Sequence, residues 1–220
     1  MSELSALPEP ATTDDAGNAP AARKRPKPGE RRVQILQALA AMLEQPGTER
    51  ITTAALASRL AVSEAALYRH FASKAQMFEG LIDFIEQSVF TLVAQITGRE
   101  VADADQPPEV GARQAARIVA VLLQFGERNP GMVRVMVGDA LVFEHERLQQ
   151  RMNQFFDRIE SALRQCLRGA VAGSATPTVD AQVTASVLTA FALGRLQRYA
   201  RSGFKRLPTE HLEASLGLIL

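Results

Sequence analysis

The sequence predicts an all-α protein: a small N-terminal helix-turn-helix unit followed by a larger helical domain. Two observations carry this. Apolar residues recur at three- and four-residue steps through most of the chain, the spacing of one face of an α-helix. The composition is 46% hydrophobic with no Trp and only 5% aromatic residues, so the cores must be built from Leu, Val, Ile, Ala and a few Phe, which favours helices. A chain of 220 residues can bury a proper core as one large domain or as a small domain joined to a larger one.

Residues 1–29 are rich in Ala, Pro, Thr and Asp with almost no large apolar group, and are expected to be a disordered tail ending in a basic arm. Arg23, Lys24, Arg25, Lys27, Arg31 and Arg32 follow closely on one another. They can track a phosphate backbone or enter a minor groove, or they form a solvated tail. A first helix is expected from Glu30 to Glu44, with Ile35, Leu36, Leu39 and Leu43 as its apolar stripe, and Pro46 and Gly47 stop it.

The stretch "TTAALASRLAVSEAALYRHFASK", residues 52–74, reads as two short helices joined by a tight turn. Leu56, Ala57 and Leu60 fall on one face of the first and Leu67 and Phe71 on one face of the second, with Val62 in the turn. Thr52 and Ser63 can each accept a hydrogen bond from free backbone N–H groups at a helix start, and Glu64 lies near the positive end of the second helix. The outward set of that helix is Ser63, Ala65, Ala66, Tyr68, Arg69 and His70. Small residues permit close approach to a DNA major groove. Tyr68 and His70 can hydrogen-bond to phosphate or a base edge, Arg69 supplies charge, and Lys74 sits beyond at a helix start. An ordinary helical hairpin with a solvated polar face accounts for the same pattern, and charge helps to decide between them. The net charge is +1, yet residues 23–80 hold ten basic against five acidic groups, while residues 81–220 hold fifteen of each. The excess therefore lies around the helical pair, as a phosphate-binding module requires.

"SKAQ" from Ser73 is a capping box, with Gln76 reaching back, and opens a long fourth helix. It carries one stripe at Phe78, Ile82, Ile85, Val89, Leu92 and Ile96 and a second line at Met77, Leu81 and Phe84. Two apolar faces imply two neighbours, the helical pair and the C-terminal domain. Phe84 is either core or, if exposed, part of a protein-binding surface. The DNA-binding unit is accordingly assigned to residues 30–90 and the dimerisation and partner-binding domain to residues 91–220.

A polar break is expected over residues 98–109, then a helix from Val110 to Gln124 ending in the turn "GERNPG" at residues 126–131. A long helix is expected from Asp139 to Arg168 with Leu141, Leu148, Met152, Phe155, Ile159, Leu163 and Cys166 in steps that suit coiled-coil-like packing. "GAVAGSATPT" breaks it. The last long helix is expected from Val183 to Arg201, with Val187, Leu188, Phe191, Leu196 and Tyr199 inward and Arg195, Arg198 and Arg201 outward, before a short helix from Leu212 to Leu220. Two long helices with this much apolar surface suggest a homodimer with a four-helix interface.

Cys166 is the single cysteine, so no disulfide framework or Cys/His metal site is expected, and it reads as packing rather than a reactive thiol. No apolar run reaches the roughly 20 residues of a membrane helix, and the polar start lacks the apolar core of a signal peptide, so a soluble cytoplasmic protein is expected. His70, His145 and His211 are scattered without a visible partner, so no enzyme activity and no cofactor or metal is expected.

The residues "VSEAALYRHFASK", following "ERITTAALA", resemble the helix-turn-helix of the TetR family of transcriptional regulators, and the remaining helices are similar in number and order to that family's C-terminal domain. Strings outside the shared signature, among them "FIEQS", "FGERNPG", "ALVFEHERLQ", "MNQFFDRIE" and "RSGFKRLPT", resemble its nucleoid-occlusion branch. The resemblance implies a dimer on palindromic double-stranded DNA, associated with the nucleoid, which engages the division protein FtsZ and blocks septum assembly over the chromosome. It implies DNA contacts at Thr52, Thr53, Tyr68 and Lys74 and FtsZ contacts at Phe84, Val121, Arg128 and Asn129. The competing reading is a TetR-type repressor released by a small molecule, for which a mostly aliphatic interior offers few polar anchors. The chain departs from the family where Ala61 stands at a turn position usually held by Gly, where Ala72 replaces a frequent Pro, in a less charged linker at 169–178 and in a longer acidic N-terminal extension. Ala resists the positive φ that position 61 demands.

Overall fold

A computed structural model describes residues 29–45, 51–98, 108–171 and 175–220. The expected tail and arm up to residue 28, including Arg25, and most of the polar break at 98–109 lie outside these. Nine α-helices and one 3-10 turn make up the regular structure among the described residues: α1 (Glu30–Leu43), α2 (Thr53–Arg59), α3 (Glu64–Tyr68), α4 (Lys74–Gly98), α5 (Pro108–Arg128), α6 (Pro130–Met136), the 3-10 turn (Asp139–Leu141), α7 (Glu146–Ala170), α8 (Pro177–Arg201) and α9 (Leu212–Gly217).

In the N-terminal unit, α1 contributes Ile35, Leu39, Met42 and Leu43, α2 Leu56 and Ala57, and α3 Leu67, all buried with Phe71 beyond it. The first turns of α4 close this core with Met77, Phe78, Leu81 and Ile82. Further along, α4 turns Ile85, Val89 and Val93 toward the C-terminal domain, where α5, α7 and α8 pack side by side. Both of its expected apolar lines are present, except that Leu92 is 40% exposed and Val93 takes its place in the core.

Among the described residues four ion pairs, made by three cations, tie α4 to α7 and to the turn before it. Lys74 pairs with Glu144, Arg147 with Glu79 at 2.8 Å, and Arg151 with both Asp83 at 2.6 Å and Glu86 at 2.8 Å. The hydrogen bond to Glu86, opposed by partial burial, raises the Arg151 pKa above its ordinary value and holds the guanidinium charged.

Several boundaries differ from the sequence expectation. The helix α5 does not end at Gln124; it continues through Gly126 to Arg128. Gly126 is there for closeness rather than for a turn: a Cβ would lie 2.6 Å from Leu196 Cδ2 of α8. The chain breaks only at Asn129, and Pro130 starts a further helix, α6, with its fixed φ in the first turn. Gly131 sets α6 directly on α1, since a Cβ would stand 2.1 Å from the carbonyl oxygen of Ala40. The expected helix from Asp139 to Arg168 is two elements, because the chain turns at residues 142–145 and His145 Nδ1 accepts the Arg147 N–H at 3.2 Å to start α7. The last long helix starts earlier than Val183, at Pro177. Within it Val187 faces outward at 46% exposure, while Arg195 is partly buried and donates from Nε to the Pro208 carbonyl at 3.0 Å.

Cys166 is buried and burial pushes its thiol up to about 11, which fits packing.

Candidate nucleic-acid interface and partner surface

The helical pair is held by the contacts its sequence provides. Thr52 Oγ1 accepts from the Ala55 N–H at 3.1 Å, and Ser63 Oγ from the Ala66 N–H at 3.3 Å. A hydroxyl whose oxygen caps a helix still carries a proton that can be donated to a second partner. Between the helices Ala61 has φ 52, and the Val62 N–H donates to the Ala57 carbonyl at 3.0 Å. A non-Gly residue in this left-handed conformation costs about 1–2 kcal/mol. The turn holds it because Val62 packs on the core on one side while the caps fix both helices.

Ser63, Ala65, Tyr68, Arg69 and His70 lie exposed along α3 and its end, and Ala66 is half-buried. Tyr68 is 45% exposed, a large fraction for an aromatic side chain. Three other expected contacts have partners within the protein. Thr53 Oγ1 donates to Glu64 Oε2 at 2.5 Å, clamping α2 to α3. Arg32 Nη1 donates to the His70 carbonyl at 2.9 Å, and its guanidinium stacks 4.1 Å above the Phe71 ring, so α1 is pinned to the end of α3. Lys74 is engaged by Glu144, seventy positions later in the chain. The Gln76 N–H donates to Ser73 Oγ at 3.2 Å, while Gln76 Oε1 accepts the N–H of Ala72 at 2.9 Å. The box is thus reciprocal, but the return bond reaches one residue before the cap.

A second group of residues gathers around Phe125. Phe84 on α4 is 47% exposed and its ring lies 6.3 Å from that of Phe125. Asn129 Nδ2 donates to the Phe125 carbonyl at 2.8 Å and caps the end of α5. Arg128 is exposed beside it and Val121 half-buried one turn earlier. Below them Tyr199 donates to the Glu127 carbonyl at 3.3 Å, and Thr209 donates to the Glu127 carboxylate. Burial, followed by the charges of Glu127 and Glu44, pushes the Tyr199 hydroxyl up from its ordinary value, so it stays a donor. Phe125 went unnoticed in the sequence as part of this surface; its signal is a large side chain one turn from both Val121 and Asn129. Among the described residues no group of His, Cys, Asp and Glu has a metal-binding arrangement, and no helix is long and apolar enough to cross a membrane.

An N-terminal helical pair on a helical C-terminal domain defines a TetR-type helix-turn-helix regulator. Residues 35–81 match the family described as bacterial regulatory proteins, tetR family, and residues 112–220 match the SlmA-like family of tetracyclin repressor-like C-terminal domains. Similar folds occur in PfmR of Thermus thermophilus (TM-score 0.65, 23% identity, covering 85% of this chain and 97% of that one) and in a regulator from Bordetella parapertussis (TM-score 0.66, 18% identity, 87% and 95%). At the level of sequence, the nucleoid occlusion factor SlmA of Idiomarina loihiensis is 51% identical over 185 residues, 84% of this chain and 90% of its own length. Those of Photobacterium profundum (49%; 85% and 92%) and Escherichia fergusonii (48%; 90% and 97%) are similar to nearly the same extent. The chain therefore belongs to the SlmA family of nucleoid occlusion factors. Its relatives are DNA-binding regulators rather than enzymes.

Proposed function

We propose that this protein acts as a homodimer that binds palindromic duplex DNA through α3 and, when bound, docks FtsZ on the surface around Phe84, keeping septum assembly away from the nucleoid. On the DNA side, Ser63 and Thr52 donate to phosphates, Ala65 and Ala66 admit the groove wall, and Tyr68, Arg69 and His70 reach bases or backbone. Thr53, Arg25 and Arg32 flank this set, and Lys74 joins it on exchanging Glu144 for a phosphate. Support for the dimer comes from α8, where Val179, Val183 and Val187 are 58%, 56% and 46% exposed at four-residue steps and form an apolar stripe that the other described residues leave exposed. Two copies joined there present two recognition helices to half-sites about 34 Å apart.

The observation that carries the FtsZ assignment is Phe84. A half-exposed Phe packed at a tilt against Phe125, beside exposed Arg128 and the α5 cap Asn129, is a small apolar anchor with a cationic rim, the composition of a protein-binding hot spot. Val121 extends its apolar part. The test is analytical ultracentrifugation of the protein with a palindromic duplex selected from random sequence, with and without FtsZ. Tyr68→Ala should weaken the duplex complex at least tenfold. Arg128→Glu should leave that complex intact and abolish FtsZ addition to it; loss of DNA binding in Arg128→Glu, or unchanged FtsZ addition, refutes the assignment.

A further inference from the structure

Two strings outside the helix-turn-helix, "FGERNPG" at residues 125–131 and "RSGFKRLPT" at residues 201–209, are distant in sequence and meet in the folded chain. At the end of α5 the Asn129 N–H donates to the Gly126 carbonyl at 3.1 Å and Asn129 Nδ2 to that of Phe125. The Glu127 carbonyl takes the Tyr199 hydroxyl, and the Glu127 carboxylate takes the hydroxyl of Thr209. Thr209 is in turn placed by the loop before it. Ser202 Oγ accepts the N–H groups of Lys205 at 3.1 Å and Arg206 at 2.9 Å, the Phe204 N–H donates to the Tyr199 carbonyl at 3.0 Å, and the Pro208 carbonyl accepts from Arg195 Nε. The Phe204 ring stands edge-on to Tyr199 at 5.2 Å, with the Arg134 guanidinium 5.3 Å from its centre. Phe204 has φ 62. A bulky side chain in this left-handed region is a rare and costly conformation that persists only where its surroundings enforce it. The loop accepts that strain and delivers Thr209 to one place.

We infer that the loop at residues 202–209 keeps the Glu127 carboxylate turned off the partner surface, so that Arg128 presents its positive charge unopposed. Thr209 and Glu127 are then positioning residues that act through Arg128. This rests on the proposed docking at Arg128 and deepens it. Glu127 and Arg128 are consecutive on α5, and successive side chains on a helix point about 100° apart, so Glu127 borders the docking face. Glu127 is half-buried and Arg128 exposed, and no ion pair forms at either among the described residues. A carboxylate released from Thr209 needs only to change rotamer to reach the rim. Inside one Debye length of Arg128, about 8–10 Å, it lowers the local positive potential and repels an acidic group brought by the partner. The Thr209 hydroxyl prevents this through a hydrogen bond to a charged acceptor, which is stronger than one between neutral groups. Tyr199 cannot take over the task, because its hydroxyl already serves the Glu127 carbonyl.

The test measures FtsZ affinity of the full-length protein on its duplex. Thr209→Val removes the hydroxyl at nearly constant shape, and thermal melts establish that the variant folds. It should weaken FtsZ binding at least fivefold, with duplex affinity within twofold of the unsubstituted protein. Thr209→Ser keeps the hydroxyl and should restore the binding. Neutralising the released group should do so too: Glu127→Gln added to Thr209→Val should recover most of the lost affinity, which a packing defect at position 209 would not allow. If Thr209→Val fails to fold, Glu127→Asp takes its place, since the shorter side chain keeps the charge and falls short of Thr209. It should weaken FtsZ binding to the same degree. Full FtsZ affinity in the folded variant, or a loss that Glu127→Gln does not recover, overturns the inference while the FtsZ assignment stands. If the unsubstituted protein ignores FtsZ on its duplex, the assignment itself fails and the inference falls with it.

Discussion

Gly131 is where the DNA-binding unit meets the C-terminal domain at backbone-to-backbone distance, and Gly131→Ala measures how much that contact matters. A Cβ there would lie 2.1 Å from the Ala40 carbonyl oxygen and 2.9 Å from its carbon. Ordinary contact begins at 3.4 Å, so α6 and α1 must separate by more than an ångström or one must bend. Both helices carry fully buried neighbours, Leu39 and Leu43 on α1 and Val133 and Val135 on α6, so separation also opens voids. Overpacking of this kind costs up to about 3 kcal/mol, offset by about 1 kcal/mol from the better helix propensity of Ala. A net loss of about 2 kcal/mol lowers Tm by roughly 4–8 °C in a domain of this size. Gly169→Ala is the matched control: it too lies in a helix, but nothing comes within 4 Å of its added Cβ. It should gain up to about 1 kcal/mol. Thermal unfolding followed by circular dichroism reads both. If Gly131→Ala melts with or above the unsubstituted protein, α6 does not sit on α1 as described, and a coupling of the two units through that contact is refuted.

Ala61→Gly should stabilise the protein by about 0.5–1 kcal/mol, because the strain of φ 52 is relieved while the unfolded chain gains some freedom; urea unfolding reads it. Glu144→Gln should free Lys74 for phosphate, so that duplex affinity rises and the dependence of log K on log salt steepens by about 0.9, measured by fluorescence anisotropy over a salt series. Cys166 should resist Ellman's reagent in the native state at about pH 8 and react at once in denaturant, since its thiol titrates at about 11. The same shift has a sign in stability. The folded state holds the Cys166 proton more tightly than the unfolded one, so the thiol's contribution is complete below pH 9.0 and is lost as pH rises toward about 11. Cys166→Ser should flatten that part of the profile.

The helical pair was legible because its determinants are local. Caps at Thr52 and Ser63, apolar spacing at Leu56, Leu67 and Phe71 and a turn within a few residues leave the chain few alternatives. The left-handed Ala61 was legible too, from the position it fills. What the sequence obscured depends on neighbours distant along the chain. Gly126 looks like a helix end, yet it lets Leu196 of α8 approach closely, and α5 runs on. Gly131 looks like part of a turn, yet Ala40 requires it in the first turn of α6. Leu141 and Leu148 are seven residues apart and fit one continuous helix, which hid the turn at residues 142–145. On α8 the apolar residues exceed what one face can bury, and spacing alone cannot say that Val187 is outside and Ala185 inside. The ion pair of Lys74 with Glu144 has no sequence signature at all. The surface around Phe84 was accessible from the resemblance, whereas its support by Phe125 needed the folded chain.

Two surfaces linked by α4, one for duplex DNA and one for a filament-forming partner, are what the proposed function requires. Pelleting of FtsZ polymers with the purified protein, in the presence and absence of its selected duplex, tests this most directly. Co-pelleting or polymer loss that appears only with the duplex, and that disappears in Arg128→Glu, is the expected result. An FtsZ pellet unchanged by the duplex-bound protein at saturating concentration contradicts it.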